Sequence, residues 1–225
     1  MTHPPSPGRA PQGWRTIAGL LLLPLAACSV LRTAATPAAS FYALDTVPSA
    51  LRAPAPAGAP TLLVTPPRAA AGFDSQHIIY LREPHRLDYF AHSEWVDPPP
   101  RMLGPLLVAA LQNTGAFHAV VLLPSTATGQ VRLDTEIIRL QHEFLGHPSR
   151  ARFTLRATLV DDKTRRVLGW RAFDQSVAAT GDDPAGGVAA ANRAVQAVLQ
   201  ELSNFCVETL RLPADNTLHF GAATD

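Results

Sequence analysis

The sequence predicts an α/β domain: a mixed β-sheet with two amphipathic helices packed on it. Three patterns predict it, namely short apolar segments in the first half, strict alternation of apolar and polar residues later, and two segments with apolar residues at helical spacing. Each amphipathic helix must bury its apolar face on another element, and a sheet offers that surface. The 225 residues, 47% of them hydrophobic, suit one globular domain.

Four short segments in the N-terminal half are predicted strands. They are apolar or β-prone and bounded by turn residues, and they cover residues 41–44, 61–65, 77–81 and 86–90. The last two form a predicted hairpin, because Pro84 between them cannot donate to a strand ladder. Residues 48–60 are rich in proline and alanine and are therefore predicted to be a loop.

The first helix is predicted to follow Asp97, an N-cap residue type that precedes three prolines. Its apolar face would consist of Leu103, Leu106, Leu107, Ala110 and Leu111. Pro105 interrupts the pattern, so the regular helix either begins there or is kinked there. Gly115 is predicted to cap its C-terminus, and residues 119–123 form a short buried strand after it.

Alternation with a period of two predicts three antiparallel strands in the second half, with one face toward water. The first strand starts at Val131, and its apolar phase slips at Ile138, which predicts a β-bulge. The second strand contains residues 152–159. A turn at residues 161–164 leads to the third strand, residues 167–177.

The second helix is predicted to open at Asp182-Asp183-Pro184 and to end before Pro213. Its apolar face would consist of Val188, Ala191, Val195, Val198, Leu199, Leu202, Cys206 and Thr209. Because Cys206 lies on this face, a buried structural thiol is favoured over a reactive one. The domain would thus cover residues 40–213, followed by a flexible tail, 214–225.

The first 27 residues have the parts of an export signal peptide: two arginines, a short apolar run and small residues before the cut. The apolar run, residues 17–25, is about half as long as a membrane-spanning helix requires. Leu25-Ala26-Ala27-Cys28 resembles the bacterial lipobox, in which the cysteine is acylated and becomes the first residue. The alternative is an ordinary signal peptide cut before an incidental cysteine.

An acylated Cys28 would anchor the mature chain through residues 28–39, which are predicted to be a tether. Several acyl chains, such as palmitate, on one cysteine would make the attachment effectively permanent. Cys206 would then have no disulfide partner. Ser29 stands where an aspartate commonly retains lipoproteins in the inner membrane. This resemblance points to the outer membrane, with the domain facing the periplasm.

Composition and motifs disfavour several function classes. Without the signal peptide, which contains Arg9 and Arg15, the chain keeps 17 basic and 18 acidic residues, so a nucleic-acid partner is not expected. No nucleophile elbow or phosphate-binding loop is present, and no two histidines have the helical spacing of a zinc site. His142 and His147 flank a turn without forming a motif. We therefore expect no enzyme, metal or cofactor.

Residues 80–102 combine aromatic residues with arginines, the residue types enriched in interface hot spots. The candidates for a partner-contacting surface are Tyr80, Arg82, Arg86, Tyr89 and Trp95. The alternative is that the aromatic residues fill the core while the arginines are solvated.

Several short motifs in order resemble the ABC-type transport auxiliary lipoprotein family, which is encoded beside MCE-domain phospholipid transport systems. They are Phe41-Tyr-Ala-Leu44, Tyr80-Leu-Arg, Pro84, Leu87-Asp-Tyr-Phe90, Trp95, Met102-Leu-x-x-Leu-Leu, Leu155-x-Ala-x-Leu159 and Trp170-Arg-x-Phe173, within residues 28–212. The resemblance implies a non-catalytic α/β domain that docks onto a periplasm-spanning MCE-domain protein linked to an inner-membrane permease and ATPase.

The sequence alone leaves other function classes open. A lipid-binding carrier would need an apolar cavity, a hydrolase would need a nucleophile and base within hydrogen-bond reach in a cleft, and an outer-membrane assembly lipoprotein would be a further binding protein. Whether the chain forms a homo-oligomer, which lipid is moved and in which direction also stay open.

The lipobox makes a direct prediction for Cys28→Ala. Without the sulfur that carries the lipid, we expect the protein to remain an uncut precursor or to leave the membrane fraction that holds the wild type. Fractionation of cells and the mass of the purified chain measure this. A variant that matures normally and stays in the same membrane fraction would refute the lipid anchor.

Overall fold

The computed structural model describes residues 2, 38–44 and 55–211. The predicted signal peptide apart from residue 2, Cys28, most of the tether and the tail 214–225 lie outside the described residues. Within the described part the elements are β1 Ser40–Tyr42, β2 Thr61–Val64, β3 Arg68–Ala69, β4 His77–Glu83, β5 Arg86–Trp95, α1 Pro99–Asn113, β6 Ala119–Leu122, β7 Val131–Glu143, β8 Arg150–Asp161, β9 Val167–Ala178 and α2 Pro184–Arg211.

The 13-residue strand β7 organises the sheet. One edge pairs antiparallel with β8 along its full length, from Val131 opposite Asp161 to Glu143 opposite Arg150. The other edge pairs in parallel with β2, then β3, then β4. Strand β6 lies beyond β2, strands β5 and β1 lie beyond β4, and β9 lies beyond β8. The prediction of a mixed sheet is confirmed.

Alternation along β7 separates an apolar inner face from a polar outer face. Leu133 and Ile137 are fully buried on the inner face. The pairing register shifts between Ile137 and Arg139, so the predicted β-bulge is confirmed. On the outer face Arg132 pairs with Asp134 and Asp162, and further arginine–carboxylate pairs cross β7, β8 and β9. The predicted meander with one wet face is therefore present.

Helix α1 is continuous through Pro105, so the helix does not begin there. Its N-cap position is Pro98, and no side chain caps it, so the prediction that Asp97 is the N-cap is wrong. A residue that precedes a proline is driven into extended backbone, and Pro98 precedes Pro99, which delays the start of the helix. Asp97 instead faces Arg101 at 3.5 Å. Gly115 adopts φ 66° just after the helix, as predicted.

Helix α2 starts with a side-chain cap. The Asp183 carboxylate accepts a hydrogen bond from the Gly186 N–H at 2.7 Å. The predicted apolar face is buried against β8 and β9, except that Thr209 is half-buried. Cys206 is fully buried, and burial raises the pKa of its thiol to about 12, which confirms the structural thiol. Among the described residues no helix is long and apolar enough to span a bilayer.

The first turn of α2 packs directly on β7 through Gly187, which has no Cβ to separate the two elements. A Cβ at position 187 would collide with the His142 ring. Overpacking of this kind costs about 1–3 kcal/mol, so Gly187→Ala should lower the unfolding free energy by that amount in urea denaturation. Gly146→Ala is the matched control, because a Cβ there meets nothing within 4 Å. Equal stabilities of the two variants would contradict the packing described.

Candidate functional site

The structure separates the five candidate surface residues. Tyr80 lies on the inner face of the sheet, in register with His142 of β7. Arg82 is two residues further along β4, and Arg86 begins β5 after the hairpin turn. Tyr89 is exposed and stacks on His77, with ring centroids 4.2 Å apart. Because neighbouring residues of a strand point to opposite faces, Tyr89 lies on the face opposite Phe90.

Four residues form a cluster at the inner face, which we call the aromatic–arginine cluster: Tyr80, Arg82, Phe90 and Phe144. The Tyr80 and Phe90 rings are 4.6 Å apart, and Phe144 meets Tyr80 edge-on at 5.9 Å. The Arg82 guanidinium lies 5.1 Å from the Tyr80 ring and 5.7 Å from the Phe144 ring. The three rings are half-buried, whereas Arg82 is exposed. The cluster therefore presents aromatic surface beside a positive charge.

Two of these residues were not among the sequence candidates. Phe90 belongs to the motif Leu87-Asp-Tyr-Phe90, but no local pattern in the sequence places it against Tyr80. Phe144 follows β7, and its N–H donates to the Leu81 carbonyl at 2.7 Å. The alternation of His142 and Phe144 could have placed both on one face. Their approach to Tyr80 depends on the β4–β7 pairing, which is a long-range contact.

Arg82 differs from its neighbour Arg86 in its charge environment. Arg86 lies 3.5 Å from Glu83 and 3.4 Å from Asp88, whereas Arg82 forms no ion pair with any residue that the structure describes. Exposed cation–π contacts contribute about 0.5–1 kcal/mol, enough to favour this position of the guanidinium without neutralising its charge. The Arg82 guanidinium is therefore available to bind the carboxylate of a partner.

Trp95 lies behind this surface and is only 2% exposed. It lines a small apolar pocket, with a cavity volume of about 10 Å³, together with Leu140, His142 and Val188. A residue this deeply buried cannot contact a partner while the fold is kept, so the structure does not support Trp95 as part of a contact surface. Trp95 belongs to the main hydrophobic core, which agrees with the alternative that aromatic residues of this segment fill the core.

His142 and Ser149 form a buried hydrogen-bonded pair. Nε2 of His142 and Oγ of Ser149 are 2.8 Å apart, and both residues are at most 3% exposed. Nδ1 of His142 has no hydrogen-bond partner among the described residues and faces Gly187. The pair thus lacks both access to substrate and the carboxylate that would orient a catalytic histidine.

The surroundings of His142 set its proton affinity. Burial lowers the pKa of His142, and the charges of Asp182 and Asp183 oppose this effect in part. His147 is exposed and lies 3.6 Å from Asp182, so the two histidines that flank the turn have different environments. Within the part of the chain that the structure describes, no three His, Cys, Asp or Glu side chains are grouped so that they could hold a metal ion.

The lowered pKa of His142 predicts a pH dependence of stability. Below about pH 6.5 the unfolded chain takes up a proton at this histidine, whereas the folded chain takes it up only at lower pH. The unfolding free energy should therefore fall with decreasing pH, by at most about 1.4 kcal/mol per unit from this group. His142→Gln should remove this contribution to the pH dependence of the unfolding free energy, whereas His147→Gln should retain it. Urea unfolding between about pH 7.5 and about pH 5.5 measures both. An unchanged slope in His142→Gln would contradict this.

Comparison with solved structures shows where this fold occurs. The protein XCC0632 from Xanthomonas campestris, of the DUF330 family, is 26% identical, with a TM-score of 0.67 over 76% of this chain and 96% of that chain. A second, uncharacterized protein is 14% identical, with a TM-score of 0.58 over 77% of this chain and 99% of that chain, and shows the fold alone. No curated protein matches the chain significantly.

A family model describes what kind of protein has this architecture. It matches residues 42–203, from the end of β1 to within α2. The matched range contains all four residues of the aromatic–arginine cluster and the buried Trp95. The resemblance found in the sequence motifs is thereby confirmed. The chain belongs to the family described as the ABC-type transport auxiliary lipoprotein component.

Proposed function

We propose that this chain is a non-enzymatic auxiliary subunit of an MCE-type lipid transport system. It is tethered to the outer membrane by acylated Cys28 and docks a periplasm-spanning MCE-domain protein. Membership of the family of auxiliary lipoprotein components of ABC-type transport supports this role. The observation that carries the docking role is the exposed Arg82, which lies over two rings without a carboxylate partner among the described residues.

The aromatic–arginine cluster has the physical properties of an interface hot spot. Aromatic residues and arginine dominate such sites. The rings of Tyr80, Phe90 and Phe144 already contact one another, so they lose little conformational entropy when a partner covers them. A matching partner surface would place an apolar side chain on the rings and a carboxylate beside Arg82. An arginine–carboxylate pair of this kind adds directional hydrogen bonds to the apolar contact.

The remaining candidate residues have lesser roles in this proposal. Arg86 is exposed and shared between Glu83 and Asp88, so a partner would have to compete with those carboxylates. Tyr89 lies on the opposite face of the sheet. A partner that covers Tyr80 could contact Tyr89 only if it also wrapped around the β4–β5 hairpin. We assign Tyr80 and Arg82 to the centre of the interface and place Arg86 and Tyr89 at its periphery.

Two observations support docking over the rival functions. The apolar pocket beside Trp95 has a cavity volume of only about 10 Å³, roughly the room that one water molecule needs, which disfavours a lipid-binding carrier. The serine and histidine within hydrogen-bond reach are buried beneath the first turn of α2, which disfavours a hydrolase. An outer-membrane assembly role would also use a docking surface, and the identity of the captured partner separates it from transport.

Arg82→Glu tests the docking surface. The reversed charge would repel the partner's carboxylate, and hot-spot losses of about 2 kcal/mol or more predict at least a roughly tenfold decrease in bound partner. The measurement is the amount of MCE-domain protein that co-purifies with the tagged lipoprotein from detergent-solubilised membranes. Arg171→Glu is the matched control, because Arg171 is also exposed and lies 5.0 Å from the Phe205 ring, but on β9.

The control fixes how each result is interpreted. We expect Arg171→Glu to retain the partner at the wild-type level. If wild type captures no MCE-domain protein, the proposed system is wrong. If both variants retain it equally, the MCE partner stands but the aromatic–arginine cluster is not its docking surface.

A further inference from the structure

Two exposed apolar side chains lie on adjacent segments where the described part of the domain begins. Phe41 in β1 is 62% exposed, and Val96, just after β5, is 54% exposed. The two strands are held together there, since the Val96 N–H donates to the Tyr42 carbonyl at 2.7 Å. Phe41 is in register with Glu94, so it lies on the face opposite the buried Trp95. The core does not use either side chain.

The position of this pair in the chain indicates what covers it. Only eleven residues separate Cys28 from Ser40, the first residue of β1. They span about 40 Å when fully extended and about 20 Å as a flexible coil. A lipid on Cys28 therefore keeps β1 close to the bilayer surface. Strand β9, which carries the exposed Trp170, is five strand spacings away, roughly 24 Å across the sheet.

We propose that Phe41 and Val96 contact the lipid surface and set the orientation of the anchored domain. The inference rests on the acylation of Cys28 in the proposed function. The anchor raises the effective concentration of lipid at β1, so a contact too weak to recruit a free protein is still populated. Among the nearby charges, Asp97 and Arg101 pair with each other at 3.5 Å, and the Glu94 side chain, in register with Phe41, is half-buried.

The orientation has a consequence for docking. From the Val96 end, β5 runs through ten residues to Arg86 and the β4–β5 turn, about 30 Å along the strand. Tyr80 is in register with Asp88, near that far end. A domain that contacts the membrane at Phe41 and Val96 holds the aromatic–arginine cluster away from the bilayer, where a partner that spans the periplasm can reach it.

Tryptophan placed at each position reports contact with lipid. Trp170→Phe removes the exposed native tryptophan from every variant, leaving the buried Trp95 as background in the mature chain. Phe41→Trp and Val96→Trp are compared with Leu145→Trp as the matched control. Leu145 is also 54% exposed, but it follows the C-terminal end of β7, which pairs with β4 near the β4–β5 turn and away from Val96. The lipidated proteins are reconstituted into vesicles of phosphatidylethanolamine and phosphatidylglycerol, with and without brominated acyl chains, and tryptophan emission is recorded.

The expected result is specific to the two positions. A side chain inserted about 5–10 Å into the headgroup boundary should lose about half of its emission to brominated chains, whereas the Leu145→Trp signal should stay unchanged. Equal emission loss at all three positions, or none at positions 41 and 96, would overturn the inference. The mass of the mature chain is measured first. An unacylated Cys28 refutes the anchor and this inference together, whereas an acylated chain without the contrast refutes the membrane contact alone.

Discussion

The pairing of β7 along both of its edges is the constraint on which the rest of the structure depends. Strand β8 occupies one edge completely, and β2, β3 and β4 share the other. Three consecutive segments, all distant from β7 in sequence, are thereby aligned in parallel on this single strand. Leu133 and Ile137, buried on its inner face, are covered by the core that includes both helices. Without β7 the two ends of the sheet would have no common strand.

This arrangement also builds the proposed docking surface. The C-terminal end of β7 carries His142 and leads into Phe144, while the pairing with β4 brings Tyr80 alongside. Gly187 lets α2 approach His142 closely, and Trp95 fills the space behind. The rings of the aromatic–arginine cluster are thus supported by packed, buried neighbours. Such support keeps an interface preorganised, which reduces the entropy lost on binding.

The local periodicities predicted much of the fold. Alternation with a period of two marked β7, β8 and β9 and located the bulge, because burial of one sheet face imposes that pattern directly on the sequence. Helical spacing identified the buried face of α2, including Cys206, for the same reason. The prediction that Asp97 is the N-cap was wrong, because the backbone restriction on a residue before proline outweighed the preference of aspartate for the N-cap position.

The candidate site was only partly predictable. Composition singled out Tyr80 and Arg82, but their contacts with Phe90 and Phe144 follow from strand pairing between distant segments, which no local pattern encodes. Trp95 was predicted to contact a partner but is buried. An aromatic residue in an arginine-rich segment is equally compatible with a core and with an interface, and the sequence does not distinguish the two. The two-residue strand β3 carries too few residues for any periodic signal.

In-cell photo-crosslinking from position 86 tests the central claim most directly, because it keeps Arg82 and places the probe at the periphery of the proposed interface. A photoreactive amino acid replaces the exposed Arg86 in one strain and Arg171 in another, and the captured proteins are identified by mass spectrometry. We expect an MCE-domain protein to be captured from position 86 and not from position 171. Capture of that protein equally from both positions, or only of proteins unrelated to lipid transport from position 86 while the domain stays folded, would contradict the proposed docking.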